Sequence, residues 1–341
     1  MLADSLVASD GPKFVSAKNI GVLYWSMNIP GQVVMRQGLE AQAEEINRQA
    51  EARGEAGVSL TVRVAGDGPE GMERQIDQFY ELVSLEPDAI IVQPTDNAAL
   101  AGPLRDANRL GVPVIAYDQY ISGGKLTAYV TSDNRQAGYL DGEYLASHFP
   151  DSHEIRLILV EYPHVSSTVE RLNGFLDALR DYGQPFRILK TYIAVQPQEG
   201  RQAGQQILKD FPDRDSVDAI FTVNDGGGLS LVEELARAGR DEVVVASIDG
   251  DPASIENIRN GRLTQIDTAQ FCGALGATAM NLAYDVVRGR SVPRLTLVPV
   301  FPVTRETLPL YPGWEGQIPE PFDKPWTAIE PLWSGELQEN P

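Results

Sequence analysis

Polar and aromatic side chains follow most of the apolar runs in this chain. Carboxylates accept hydrogen bonds from hydroxyl groups, side-chain amides both donate and accept, and aromatic rings can cover the C–H face of a sugar ring. No lysine or histidine belongs to the set, so we expect a neutral, polyhydroxylated ligand. The residues in question are Tyr24 and Trp25, Gln93, Asp118 and Gln119, Asn224 and Asp225, Asp249, and Gln270.

Each of these residues also has a purely structural interpretation. Asp118 and Asp249 end apolar runs, where aspartate often serves as a turn residue or helix cap. Asn224 and Asp225 precede three glycines and are consistent with a simple turn, whereas Trp25 is consistent with a side chain that covers the core. The sequence alone leaves both interpretations open at these positions.

Signals for catalysis are weak. His164 lies close to Ser166 and Ser167, but such proximity is common by chance. No nucleophile elbow, phosphate loop, dinucleotide fingerprint or metal motif stands out. We therefore expect a protein that is not an enzyme, with no catalytic residue, no metal site and no cofactor.

One stretch, residues 87–119, sets the pattern for the elements that must position these side chains. Residues 88–92 and 112–117 are short apolar runs typical of buried strands, and residues 97–109 have leucines and alanines at helical spacing. A strand–helix–strand unit of this length predicts two parallel strands. Ligands bind beyond the carboxyl ends of such strands, and Asp118 lies at one of them.

The same alternation of strand and helix runs through most of the chain and restarts near Pro150. Eight evenly spaced units would indicate a single barrel, but a pattern that resets indicates two doubly wound α/β lobes with parallel sheets. We expect one last extended segment at residues 295–303. From Pro309 onward, the proline- and tryptophan-rich chain predicts an irregular strap on a domain surface.

Bulk composition excludes several classes of partner. The net charge of −20 over 341 residues argues against nucleic acid and against an anionic membrane surface. One cysteine, Cys272, excludes a disulfide within the chain, and no run approaches the length of a membrane span. Residues 1–18 lack the pattern of a signal peptide, so we expect either a cytoplasmic chain or a mature exported one.

The ordered set of motifs resembles the type I periplasmic sugar-binding proteins, above all the ribose- and galactose-type members that serve ABC importers. The resemblance extends from about Lys18 to Leu308. It is carried by Pro113-Val114-Ile115 with Asp118, Thr131-Ser132-Asp133-Asn134, Arg171 with Gly174-Phe175, Phe221 with Asn224-Asp225, Ile248-Asp249-Gly250, and Ala269-Gln270.

This resemblance implies a fold and a site. Two lobes would be joined by a three-segment hinge, with crossings near Ser132-Asp133, Gln270 and Val298. Residues 18–132 and 271–298 would form the N-terminal lobe, and residues 133–270 and 299–341 the C-terminal lobe. The implied ligand-binding residues are Tyr24, Trp25, Asn28 and Gln32 of the first loop, with Asp118, Gln119, Asn224, Asp249 and Gln270.

Four positions differ from the ribose-type pattern. Gln119 and Val169 stand where that family has arginines, and Gly31-Gln32 replaces an aromatic pair. These changes leave the ligand open among another monosaccharide, a linear polyol and a furanone-like signal molecule. Tyr24 or Trp25 would then supply the stacking surface.

The resemblance also implies a role and partners. We expect a monomeric, periplasmic solute-binding protein, its signal peptide absent from this chain, that captures a neutral sugar or polyol and delivers it to an ABC permease. The alternative partner is a membrane sensor kinase or chemoreceptor. Repressor relatives carry a DNA-binding domain, for which there is no room before Lys18, and the acidic charge also opposes binding to nucleic acid.

Overall fold

The computed structural model describes residues 16–340, so most of the N-terminal stretch that lacks a signal-peptide pattern lies outside the described residues. Within this range, strands and helices alternate in chain order as far as α9, except that β5 follows β4 directly. The strands are β1 Lys18–Tyr24, β2 Val58–Val64, β3 Ala89–Val92, β4 Val114–Tyr117, β5 Ala128–Ser132, β6 Ile155–Glu161, β7 Phe186–Ile193, β8 Ala219–Thr222, β9 Val244–Asp249, β10 Thr264–Gln270, β11 Leu295–Val298, β12 Val300–Thr304, β13 Phe322–Asp323, β14 Leu332–Trp333 and β15 Gln338–Asn340. The α-helices are α1 Pro30–Arg53, α2 Gly68–Ser84, α3 Ala101–Leu110, α4 Asn134–His148, α5 Ser166–Asp181, α6 Pro197–Asp210, α7 Asp225–Arg237, α8 Pro252–Arg259 and α9 Cys272–Val287.

The strands form two large sheets, one in each lobe. The first has the order β15-β11-β5-β4-β3-β1-β2 and the second the order β12-β10-β9-β8-β6-β7. Within these two sheets the pairings are parallel except those of β15 and β12, which run antiparallel at the sheet edges. Strands β3 and β4 are completely buried, as expected for strands covered by helices on both faces. The predicted architecture of two doubly wound α/β lobes is confirmed.

The chain passes between the two sheets at three hinge segments. Strand β5 of the first sheet leads into α4, which packs against β10 and β12 of the second lobe. Strand β10 of the second sheet leads into α9, which packs against β3, β4 and β5 of the first. Finally, β11 and β12 are separated by Pro299 alone and belong to different sheets. The expected single extended segment at residues 295–303 is therefore a crossing.

The C-terminal segment, residues 309–340, differs from its predicted placement. Strands β13 and β14 pair with each other, but β15 joins the edge of the first sheet through Leu295, Thr296 and Leu297 of β11. Our assignment of all residues from 299 to 341 to the C-terminal lobe is therefore wrong for residues 338–340. Beta pairing at an open sheet edge needs only backbone groups, so the side-chain pattern gave no sign of it.

One helix begins later than predicted. Helix α3 starts at Ala101 rather than at residue 97, because the Asp96 carboxylate accepts hydrogen bonds from the amides of Ala98 and Ala99 at 2.7 and 2.8 Å. This Asx-type turn occupies the residues that helical spacing had assigned to the first turn.

Candidate ligand-binding site

A polar cavity lies between the lobes, where the carboxyl ends of strands from both sheets face each other. It measures about 30 Å³, which is room for one or two water molecules. A larger molecule therefore enters only if the lobes separate. Seven of the nine residues predicted to bind ligand line this cavity: Trp25, Gln32, Asp118, Gln119, Asn224, Asp249 and Gln270.

The other two predicted residues, Tyr24 and Asn28, do not line it. Successive side chains of a strand point to opposite faces, so Tyr24 at the end of β1 points into the core while Trp25 points to the cavity. Burial raises the pKa of Tyr24, whose ring lies 4.9 Å from the Arg36 guanidinium. The Asn28 amide donates to Asp67 at the surface. Of the two aromatic residues proposed to stack on a ligand, only Trp25 is in place.

Asp118 is held by groups of its own lobe. Its carboxylate accepts a hydrogen bond from Gln93 Nε2 at 2.9 Å, and its carbonyl accepts from Thr131 Oγ1 at 2.9 Å. Burial among these neutral donors raises the pKa of Asp118 to about 6. Its backbone has a φ of +65°, a conformation that L-residues seldom adopt outside turns and functional sites.

Asp249 is held by a charged partner. Its carboxylate accepts from Arg171 Nη1 at 2.9 Å and from Gln270 Nε2 at 2.6 Å. Burial raises the pKa of Asp249, and the Arg171 guanidinium opposes that rise. Gln270 also accepts a hydrogen bond from Ser132 Oγ at 2.8 Å, which joins two of the three hinge segments directly behind the cavity.

Arg171 lines the cavity and was not among the predicted site residues. Its Nε donates to Asn134 Oδ1 and its Nη1 to the Val223 carbonyl, both at 2.9 Å. Helix α5 reaches this depth because Gly138 of α4 has no side chain: a Cβ there would lie 1.8 Å from the Arg171 carbonyl. One sequence signal was available, since Arg171 falls at helical spacing with Phe175 and Ala178 on the buried face of α5.

Gln119 connects the two lobes. Its Nε2 donates to Ser167 Oγ at 2.8 Å, and its Oε1 accepts from the Ser167 amide at 3.1 Å. Asn97 makes a second connection, accepting from the Ser166 amide at 2.9 Å. The serines near His164 thus take part in contacts between the lobes.

Two other predicted residues serve the local structure as well as the cavity. Asn224 caps α7 by accepting from the Gly227 amide at 3.2 Å, and it donates to the Val195 carbonyl at 3.1 Å. Gln32 accepts from the Ser26 amide at 3.0 Å and so fixes the loop that carries Trp25. Asn224 therefore caps α7 and lines the cavity at the same time.

The arrangement offers hydrogen-bond acceptors and donors on opposite walls, with an aromatic side chain beside them. The carboxylates of Asp118 and Asp249 can accept hydrogen bonds from hydroxyl groups, and the Arg171 guanidinium and the amides of Gln119 and Gln270 can donate them. Within residues 16–340, no three histidine, cysteine or acidic side chains come together as metal ligands. Nor is any helix of that range long and apolar enough to cross a membrane.

A family model described as "Periplasmic binding protein domain" matches residues 20–291 of the chain. Among curated proteins, the chain is 25% identical to the ribose import binding protein of Bacillus subtilis (strain 168), over 82% of this chain and 85% of that protein.

Solved structures give the same picture. The myo-inositol binding protein of Caulobacter, bound to myo-inositol, is 26% identical with a TM-score of 0.74, covering 86% of this chain and 95% of that one. An ABC transporter periplasmic solute-binding protein from Actinobacillus succinogenes 130z, with bound D-allose, is 25% identical with a TM-score of 0.72, covering 86% of this chain and all of that one.

Proposed function

The chain belongs to the periplasmic binding protein domain family, and from this premise we propose that it captures a neutral sugar or polyol between its lobes and delivers it to an ABC importer. The observation that carries this proposal is the composition of the cavity wall. Asp118 of the first lobe and Asp249 with Arg171 of the second face one cavity beside Trp25. The relatives named above bind ribose, myo-inositol and D-allose, all of which are uncharged and rich in hydroxyl groups.

Binding requires the lobes to open and close. A sugar is several times larger than the 30 Å³ cavity. The lobes therefore open to admit the ligand and contact it from both sides when they close. Each hydrogen bond between a hydroxyl and a charged group contributes about 1.5–3 kcal/mol. Three or four of them, less the cost of ordering, support roughly micromolar affinity.

Within this proposal, the protein works in the periplasm as a monomer and needs no cofactor. The closed form presents surfaces of both lobes to a membrane permease. The ligand is a monosaccharide other than ribose or a cyclic or linear polyol, because Gln119 stands in place of an arginine beside Asp118. The side-chain amide of Gln119 is itself hydrogen-bonded to Ser167 of the other lobe.

The test is a thermal-shift screen of the purified protein against neutral sugars, polyols, amino acids and small anions, followed by calorimetric titration of each hit. A ligand present at 100 times its dissociation constant stabilises the fold by about 2.7 kcal/mol, which raises the melting temperature by a few degrees. We expect hits among sugars or polyols. Stabilisation by anions or amino acids alone would contradict the proposed ligand class.

Delivery is tested separately, by uptake of the radiolabelled hit into cells with and without this protein. We expect uptake to fall at low ligand concentration when the protein is missing. Unchanged uptake would contradict the import role while leaving ligand binding intact, and would favour a membrane sensor as the partner.

A further inference from the structure

Trp314 of the C-terminal segment lies directly behind the ligand-facing aspartate of the second lobe. Its indole Nε1 donates to the Asp249 carbonyl at 2.6 Å. Three residues earlier, the Tyr311 hydroxyl donates to the Gly250 carbonyl at 3.3 Å. Two consecutive carbonyls of one turn are thus held by a part of the chain that lies beyond the resemblance to the sugar-binding family.

The turn at Asp249 needs external support. Asp249 has a φ of +137° and Gly250 a φ of +80°, and a non-glycine residue in this region persists only where its surroundings hold it. A Cβ on Gly250 would lie 2.3 Å from the Cβ of Ala269. The amide of Gly250 donates to Asp267 at 2.8 Å, so the turn is fixed from its own sheet and from Trp314 together.

Trp314 also contacts the first lobe. Its carbonyl accepts a hydrogen bond from the Gly273 amide at 3.2 Å, in the first turn of α9. Its ring lies close to Gly31 at the start of α1, where a Cβ would be 3.8 Å from the indole. Trp314 is only 9% exposed, so its hydrogen bonds are shielded from water. One residue therefore joins the turn that carries Asp249 to the starts of two first-lobe helices.

We propose that Trp314 is a positioning residue for ligand binding. Its indole N–H fixes the main chain of Asp249 so that the carboxylate faces the cavity, and its contacts with α1 and α9 hold that turn in register with the first lobe when the lobes are closed. This inference rests on the proposed function, because it assigns a role to Trp314 through Asp249.

The test is Trp314→Phe, which removes the indole N–H and keeps an aromatic ring. The matched control is Trp326→Phe in the same segment, which loses an indole hydrogen bond of 2.9 Å to Glu143 on α4, away from the cavity. We expect Trp314→Phe to weaken binding of the screened sugar about 5- to 20-fold, as the loss of one buried hydrogen bond predicts. The control variant should bind within twofold of wild type.

A double-mutant cycle with Asp249→Asn separates positioning from general destabilisation. If Trp314 acts through Asp249, then Trp314→Phe costs little further affinity in the Asp249→Asn background. An equal loss of affinity in both backgrounds, or wild-type binding by Trp314→Phe, would overturn the proposal.

Hydrogen exchange provides a readout that needs no ligand. We expect the amides of residues 249–251 to exchange at least fivefold faster in Trp314→Phe than in Trp326→Phe, and unchanged exchange would refute the positioning role even if no sugar binds. A lack of sugar binding with the expected exchange would instead contradict the proposed function alone. If Trp314→Phe does not fold, Tyr311→Phe removes only the hydroxyl bonded to Gly250 and is measured in the same way, with the same criteria.

Discussion

The two lobes each present an aspartate at a strand end to the same cavity, but they hold it in different ways. Asp118 is bonded by Gln93 and Thr131, which are 25 and 13 residues away in sequence; Gln93 directly follows β3 and Thr131 lies in β5 of the same sheet. Asp249 is bonded by Arg171, Gln270 and Trp314, which come from α5, the hinge and the C-terminal segment. The first carboxylate is surrounded by neutral donors, and the second is paired with a cation.

This difference suggests a division of roles between the lobes. Asp118 is fixed by its own lobe, so its geometry should be the same whether the lobes are open or closed. Asp249 is held in part by Gln270, which is bonded to Ser132, and by Trp314, which contacts α1 and α9. Its geometry should therefore be sensitive to closure of the lobes. The two aspartates should therefore respond differently to substitution, and that difference can be measured.

The largest effect is expected at Asp249. Asp249→Ala should weaken ligand binding about 100-fold or more, because it removes the acceptor of the second lobe and leaves Arg171 buried without its partner. Loss of one member of a buried ion pair costs about 3–5 kcal/mol of stability. Calorimetric titration and urea denaturation measure the two effects, with Asp177→Ala as control, which breaks two ion pairs, with Arg135 and Arg180, away from the cavity.

A double variant sharpens this test. Arg171→Met in the Asp249→Ala background removes the unpaired charge, so it should recover part of the lost stability and none of the lost binding. Ligand binding by Asp249→Ala within twofold of wild type would show that the cavity assignment is wrong.

At Asp118 the expected effects on binding and stability have opposite signs. Asp118→Asn should weaken binding about 10- to 30-fold but stabilise the free protein at pH 7.5. The pKa of Asp118 is about 6 in the folded protein, above its ordinary value of 3.8. Between these two values the folded state binds more protons than the unfolded state, so the stability contributed by this group falls as the pH rises. Asparagine does not titrate and tolerates positive φ well.

The stabilising effect of Asp118→Asn should therefore be fully present at pH 7.5, shrink as the pH falls from about 6 to 3.8, and be almost lost at about pH 3.5, which urea denaturation at these pH values measures. The corresponding Asp249→Asn should stabilise the protein less than Asp118→Asn at pH 7.5, because Arg171 loses its charged partner. Equal stability changes in the two variants would contradict the contrast between the two lobes.

The smallest effect on ligand binding is expected at Gln119, an uncharged residue that connects the two lobes. Gln119→Ala removes both hydrogen bonds to Ser167 and should weaken binding about 5- to 10-fold, mainly through faster dissociation, because the closed form loses about 1–1.5 kcal/mol. The control is Asn108→Ala, which also loses two hydrogen bonds, both to Lys125 in the same lobe. If both variants dissociate at the same rate, Gln119 has no special role in closure.

Much of the fold followed from local patterns. Short, wholly apolar runs such as residues 89–92 favour strands of a sheet covered on both faces, and the alternation with helices then indicates parallel strands. Because parallel strands place their carboxyl ends at one edge, the positions of Asp118, Asp249 and Gln270 in the cavity were also predictable. The direction of the Tyr24 side chain was also predictable, because neighbouring residues of an extended segment point to opposite faces and Trp25 faces the cavity.

The remaining features depended on contacts between residues far apart in the chain. Arg171 reaches Asp249 across 78 residues only because α4 and α5 approach closely at Gly138. The pairing of β15 with β11 uses backbone groups, which every residue carries, so no side-chain pattern predicts it. Sequence periodicity determined which residues lie at the strand ends, because burial and pleating are local properties. Only the tertiary structure decided which groups hold the two aspartates, because those groups are brought together by the packing of whole elements.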